Sequence, residues 1–205
     1  MKKTTIQEMH RLSAEQYHKA AKLPLVVVLD NVRSMHNVGS VFRTADAFRL
    51  EKVYLCGITA HPMPAAASSL SASQACRSAN LPMSEQPALR WADEVHKTAL
   101  GAEETVDYAY YADTRDAVRD LKKAGYKIFA VEQVHGSIMM SDIRLCPDER
   151  YAIILGHEVF GVQQEVVDMA DACLEIPQYG TKHSLNVSVA AGITIYTLAT
   201  QLRKS

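Results

Sequence analysis

Several things are missing from this sequence, and each absence removes a class of function. No apolar stretch approaches the roughly 20 residues that a membrane-spanning helix needs. The opening "MKKTTIQEMHRL" carries charge but is followed by no apolar core, so it does not read as a secretory leader. The four cysteines, Cys56, Cys76, Cys146 and Cys173, lie far apart with no C-x-x-C pair. That spacing suits free thiols in a reducing cytoplasm better than a disulfide framework or a zinc site. No internal repeat is present. No cluster suggests a metal, and the formal net charge of −1 rules out a bulk polycation.

The composition, 48% hydrophobic and 22% charged over 205 residues, suits one compact domain with a full core. Charge is unevenly placed. Residues 1–22 hold Lys2, Lys3, Arg11, Lys19 and Lys22 against Glu8 and Glu15, and residues 176–205 hold Lys182, Arg203 and Lys204 with no acid. Residues 85–120 are predominantly acidic. If the two ends converge, they form a basic patch suited to phosphates; otherwise the lysines simply keep the termini soluble.

Short β-branched runs alternate with helical stretches. "LVVVLD" (25–30), "KVYLCGI" (52–58), "KIFAVE" (127–132), "YAIILG" (151–156) and "ACLEIP" (172–177) read as strands, with "TVDYAYY" (105–111) as a shorter edge strand. Most are nearly apolar throughout, as expected for strands covered on both faces of a parallel sheet. "NVGSVFRTADAF", "TRDAVRDLKKAG" and "QQEVVDMAD" read as helices between them. The fold class that follows is α/β, a mostly parallel sheet flanked by helices. Residues 1–24 read as an N-terminal helical extension and 25–205 as the main domain. Within it, residues 61–87, rich in Ala, Ser and Pro, form a long loop or insertion. The last segment, "SLNVSVAAGITIYTLATQLRKS", is apolar on nearly every face and so needs cover on every face. The sheet can supply one side and a second subunit the other, which points to a homodimer.

Ligands of open α/β sheets bind beyond the carboxyl ends of the strands, and three polar clusters occupy such positions. In "DNVRSMHNVGSVFRTADAF", Asn37 and Ser40 can cap the helix, and Gly39 leaves bare backbone that makes room for a ligand beside Arg43, one turn on. An Arg43–Asp46 surface pair is the plain alternative. In "LGHEVFGV", Gly156 and Gly161 bracket His157 and Glu158. Val162 stands where a P-loop would have Lys, no G-x-G-x-x-G is present, and the second His of a zinc-protease helix is missing. In "IPQYGTKHSLNVSVA", Ser184 reads as an N-cap, and Asn186 is an amide inside an oily helix that must find a partner.

In this order the clusters resemble the motifs of the SpoU (TrmH-like) class of SPOUT methyltransferases. Asn, a spacer, Gly, then Arg-Thr matches "HNVGSVFRTADAF"; Leu-Gly-x-Glu-x-x-Gly matches "LGHEVFG"; Ile-Pro followed by Ser-Leu-Asn-Val-Ser-Val-Ala matches "IPQYGTKHSLNVSVAAG". The resemblance implies a trefoil knot near the C-terminus, a homodimer and S-adenosylmethionine as methyl donor. The implied substrate is a ribose 2′-oxygen of tRNA or rRNA. It implies a catalytic set of Arg43, Asn37, Glu158, Ser184 and Asn186. It also places the cofactor in loops at Glu132, Gly156, Ile176 and Leu185. The family's proposals make the residue matching Arg43 the base. A guanidinium keeps its proton in proteins, so an electrostatic role on the alkoxide or adjacent phosphate is the better reading. The alternative is a catalytically silent RNA-binding or ribosome-assembly protein on the same fold. A Ser–His hydrolase built on His183-Ser184 lacks the G-x-S-x-G elbow.

Overall fold

The run Leu25–Leu29 is buried completely on both sides, because successive residues of a strand point to opposite faces and both faces are covered. Leu25, Val27 and Leu29 enter one core; Val26 and Val28 enter another. The structure is a computed structural model and describes residues 1–5, 7–61 and 86–203. Among these, seven strands form one sheet: β1 (Leu23–Asp30), β2 (Leu50–Cys56), β3 (Tyr108–Tyr111), β4 (Tyr126–Val131), β5 (Ile138–Met139), β6 (Arg150–Leu155) and β7 (Ala172–Glu175). Their order is β3-β2-β1-β6-β4-β7-β5, and every pairing is parallel.

Among the described residues, seven α-helices accompany the sheet: α1 (Ala14–Lys19), α2 (Met35–Ala47), α3 (Gln86–Ala99), α4 (Ala102–Thr105), α5 (Thr114–Lys123), α6 (Gln164–Val167) and α7 (Val187–Leu202). The first core takes Val38, Val41, Phe42 and Ala45 of α2, Val95 and Ala99 of α3, and Ala191, Ile195 and Leu198 of α7. The second takes Ala117, Val118 and Leu121 of α5 with Val166 of α6. None of these helices is long and apolar enough to cross a membrane.

The α/β expectation holds, with local corrections. The N-terminal extension is a short 3-10 turn (Gln7–Met9) and the six-residue α1, not one continuous helix. A Ser13–Gln16 capping box starts α1, and Ala20 is its C-cap. Helix α3 and the two-residue β5 are additions to the sequence reading. Pro87 hid the first: proline is tolerated in a helix's first turn, where its missing N–H would be unbonded anyway. Most of the 61–87 excursion lies outside the described residues.

A further correction concerns Gly39. It does not clear space for a ligand. A Cβ at this position would come within 2.1 Å of Thr98 Oγ1 and 2.3 Å of the Val95 carbonyl, so Gly39 is what lets α2 and α3 touch. Thr98 also donates to the His36 carbonyl across the same contact, at 3.0 Å. Replacing Gly39 by Ala therefore tests packing against propensity. Alanine favours a helix interior by about 1 kcal/mol, but the clash with a fixed carbonyl costs more. The Gly39→Ala variant is expected to unfold in urea with a net loss of up to about 2 kcal/mol, an overpacking cost of ~1–3 less the ~1 gained in propensity; a gain would show that α3 can step back.

Candidate active site

Parallel pairing brings all the strand ends that matter to one edge at one level. Tyr111 lies beside Cys56, Cys56 beside Asp30, and Leu29 beside Leu155. The next residues, Asn31 and Gly156, open the loops. On the β6 side of this edge lies a cavity of about 460 Å³, within the range of sites for small organic ligands. Its walls come from 131–133, 155–161, 174–178 and 184–190, so Glu132, Gly156, Ile176, Ser184 and Leu185 all line it. The segments following β4 and β6, the end of β7 with the loop after it, and the start of α7 thus share one concavity.

Glu158 ties this loop to the first motif. Its carboxylate accepts from the backbone N–H of Arg33 (3.1 Å) and Ser34 (2.8 Å), and from Asn37 Nδ2 (3.0 Å). Asn37 Oδ1 in turn accepts from Asn186 Nδ2 at 3.1 Å. Asn186 Oδ1 receives the N–H groups of Ser188 (2.9 Å) and Val189 (3.4 Å). Asn186 is therefore the N-cap of α7, not an amide within it, and Ser184 is not the cap. Ser34, rather than Asn37 or Ser40, caps α2. These caps explain how Asn37 and Asn186 are each held rigidly with one end free to meet the other. Burial pushes the Glu158 carboxyl up, but the amides of Ser34, Glu158 and Arg33 and the Asn37 carboxamide outweigh it. The net pKa lies below the usual carboxylate range.

Two further carboxylates brace the same loop. Asp30 is fully buried and accepts from Thr114 Oγ1 (2.6 Å), Gln163 Nε2 (2.7 Å), the Gln163 N–H (2.9 Å) and Asn31 Nδ2 (2.9 Å). The sequence signal was available: a carboxylate closing an apolar strand must be paired. Glu132 Oε2 accepts the Val162 N–H at 3.0 Å, and its other oxygen accepts the Gln133 N–H at 2.9 Å. With both oxygens engaged, Glu132 braces the cavity wall. Gly161 sits at φ +69°, and a Cβ there would meet Glu132 Oε2 at 2.0 Å, so only glycine fits between them.

Arg43 stands apart. It is exposed on α2, about 9 Å along the axis from Asn37 at the helical rise of ~1.5 Å per residue. It does not line the cavity. Among the described residues, no hydrogen bond or ion pair engages its guanidinium, so the Arg43–Asp46 pair does not form.

The pattern that defines the SpoU rRNA Methylase family matches residues 24–81 and 73–196. This chain belongs to the SpoU rRNA Methylase family. Within the family it is similar to the tRNA (guanosine(18)-2′-O)-methyltransferase of Thermus thermophilus, with 26% identity over 97% of this chain and 86% of that protein. It is 31% identical to the 23S rRNA (guanosine-2′-O-)-methyltransferase of Neisseria meningitidis, over 84% of this chain but only 56% of that one. The similarity to the Borreliella burgdorferi tRNA (guanosine(18)-2′-O)-methyltransferase, at 35% identity, spans 52% of this chain and about half, 48%, of that protein. The AdoMet-bound rRNA methyltransferase of Sinorhizobium meliloti superposes with a TM-score of 0.68 at 25% identity, over 89% of this chain and 61% of that one. The SpoU segments are the ones that build the cavity and the Asn186–Asn37–Glu158 chain.

A depressed folded-state pKa contributes stability above the ordinary carboxylate value of about 4.3, and that stability fades as pH falls through the folded value. Glu158→Gln should therefore unfold about 1–2 kcal/mol more easily than the parent at pH 7, with screening of a half-exposed group limiting the loss. The difference should shrink as pH falls below the ordinary value of about 4.3 and close once it is below the folded one. Urea titrations at pH 7 and in acid measure it, and an undiminished gap in acid would contradict the charge-based account.

Proposed function

We propose that this chain is an S-adenosylmethionine-dependent methyltransferase acting on a ribose 2′-hydroxyl of tRNA or rRNA. The observation that carries the reading is the hydrogen-bonded chain Asn186–Asn37–Glu158 set beside a nucleoside-sized cavity, all built from the segments that define the family. The donor set fits the cofactor. Leu155, Leu174, Ile176, Leu185 and Val187 offer an apolar surface for an adenine and methionine carbon chain, while main-chain groups of the 156–161 and 176–178 loops supply polar contacts. When bound, S-adenosylmethionine supplies an electrophilic methyl group.

What the protein must add is alignment of the ribose oxygen and relief of its proton. Asn37 and Asn186 have their orientations set by each other and by Glu158, so their remaining polar capacity is aimed rather than free to rotate. Glu158 acts through Asn37 as a positioning residue. Ser184, exposed at the cavity wall, shapes the pocket. Arg43 carries a charge that no described residue pairs, on the helix that presents Asn37, suited to a phosphate beside the target ribose or to the developing alkoxide. The proton then leaves through phosphate or water, since the guanidinium keeps its own.

The reading extends to a homodimer. Helix α7 buries Ala191, Ile195 and Leu198 but leaves Val189, Ile193 and Tyr196 exposed at 50%, 37% and 60%, a stripe at helical spacing. Phe48 packs edge-on against Tyr196, widening the apolar surface.

Transfer of labelled methyl groups to total RNA from a strain lacking the gene tests the activity, with products mapped for 2′-O-methylation. Wild type is expected to label RNA; failure to do so leaves a binding protein. Arg43→Lys should bind cofactor as wild type does and lose transfer by about 100-fold or more, and near-normal transfer would remove Arg43 from the reaction. Separately, Ile193→Asp should convert a dimer to a monomer in sedimentation experiments; a wild-type monomer would refute the dimer.

A further inference from the structure

The other side of the same sheet edge carries a surface that the reaction as described does not use. Tyr110, near the end of edge strand β3, is 51% exposed, yet its ring is fixed: the hydroxyl donates to the Gly57 carbonyl at 3.0 Å, and His61 packs against it at 5.4 Å. Ile58, next to that carbonyl, is 59% exposed. The loop that presents them is tied down at three points. Ile58 N–H donates to Asn31 Oδ1 (3.1 Å), Val32 N–H to Thr59 Oγ1 (2.9 Å), and Thr59 Oγ1 to the Leu29 carbonyl (3.0 Å). A rigid, half-exposed aromatic beside an exposed isoleucine is a preformed face, of which His61 covers part and solvent meets the rest.

Two observations select its occupant. The first is position. Tyr110 pairs with Leu55 in the parallel register and so stands at the carboxyl edge, level with the Glu158 loop. From β3 to β6 is three strand spacings, about 14 Å, or about four nucleotides of a stacked strand at ~3.4 Å each. The second is charge. Arg33 is exposed, and its guanidinium engages none of the described residues. Its backbone sits between the two places, adjoining Val32, which Thr59 holds, and donating to Glu158. Of the neighbouring acids, Asp113 is already paired with Arg115.

We infer that Tyr110, with Ile58, is a stacking platform for an unpaired base of the substrate RNA a few nucleotides from the target, and that Arg33 holds a phosphate between them. The inference rests on the RNA-methyltransferase reading for its substrate. Aromatic stacking suits single-stranded RNA because every base has a π-face, and the arrangement gives the enzyme a second grip that sets which nucleotide reaches the cavity.

The test compares Tyr110→Ala, Tyr110→Phe and Arg33→Ala in the full chain, using total RNA from the deletion strain. Filter binding without cofactor and half-saturation in methyl transfer are both measured. Tyr110→Ala should weaken RNA binding and raise KM about tenfold. Cofactor affinity and kcat at saturating RNA should stay within about twofold. Tyr110→Phe, which keeps the ring and loses only the hydroxyl, should stay near wild type. Arg33→Ala should lower the salt dependence of RNA binding by about one phosphate contact. Unchanged RNA affinity in Tyr110→Ala overturns the platform, as does an equal loss in Tyr110→Phe, which would show that the hydroxyl's bond to Gly57, and not the ring face, carries the RNA affinity. A change of oligomeric state in Tyr110→Ala would also overturn it, assigning the surface to a second copy of the chain. If wild type binds RNA but transfers no methyl group, the activity fails while the binding comparison still decides the platform.

Discussion

Carboxylates that hold backbone amides from distant parts of the chain organise this molecule's functional edge. Asp30 ends β1 and holds Gln163; Glu132 follows β4 and holds Val162; Glu158 follows β6 and holds Arg33 and Ser34. Each joins segments that no strand pairing could join, because they lie beyond the ladder. A carboxylate that accepts several hydrogen bonds is strongly oriented, and the backbone N–H groups among its donors cannot rotate away. Leaving such an oxygen buried and unpaired would be costly, so each brace locks its loop in one arrangement.

Function follows from that locking. A methyl transfer to a poorly acidic hydroxyl demands alignment more than reactive groups, and alignment needs loops that do not wander. Glycines serve the braces. Gly161 sits where any side chain would strike Glu132, and Gly156 lies where a Cβ would come within 2.0 Å of the Gly161 backbone. The two glycines of "LGHEVFG" are thus explained by close approach of protein to protein, which leaves the cavity to side chains and main-chain groups around it. The same edge, continued to β3, presents the fixed, half-exposed ring of Tyr110 instead of a cavity.

How legible this was depended on the kind of contact. Strands β1, β4 and β6 could be read from apolar runs because burial on both faces requires them. Helix α3 could not, since Pro87 disguised its start and its packing partner, Gly39, looked like a ligand-binding glycine. Asn186 was recognisable as an amide needing a partner. That the partner is Asn37, 149 positions away, no local pattern could say. Arg43 shows the opposite limit: its motif resemblance is clear, yet in the single chain it stands on the surface away from the cavity.

From its residues alone, this chain determined an α/β sheet covered on both faces and three polar clusters at strand ends, because burial and periodicity are local properties. It also determined kinship, through motifs matched in order. The tertiary structure decided which polar atoms meet, which glycines serve packing, and where Asn186 caps instead of lying buried. Those outcomes depend on strand order and register, which bring together residues that the sequence holds far apart and which the hydrophobic pattern of each strand leaves undetermined.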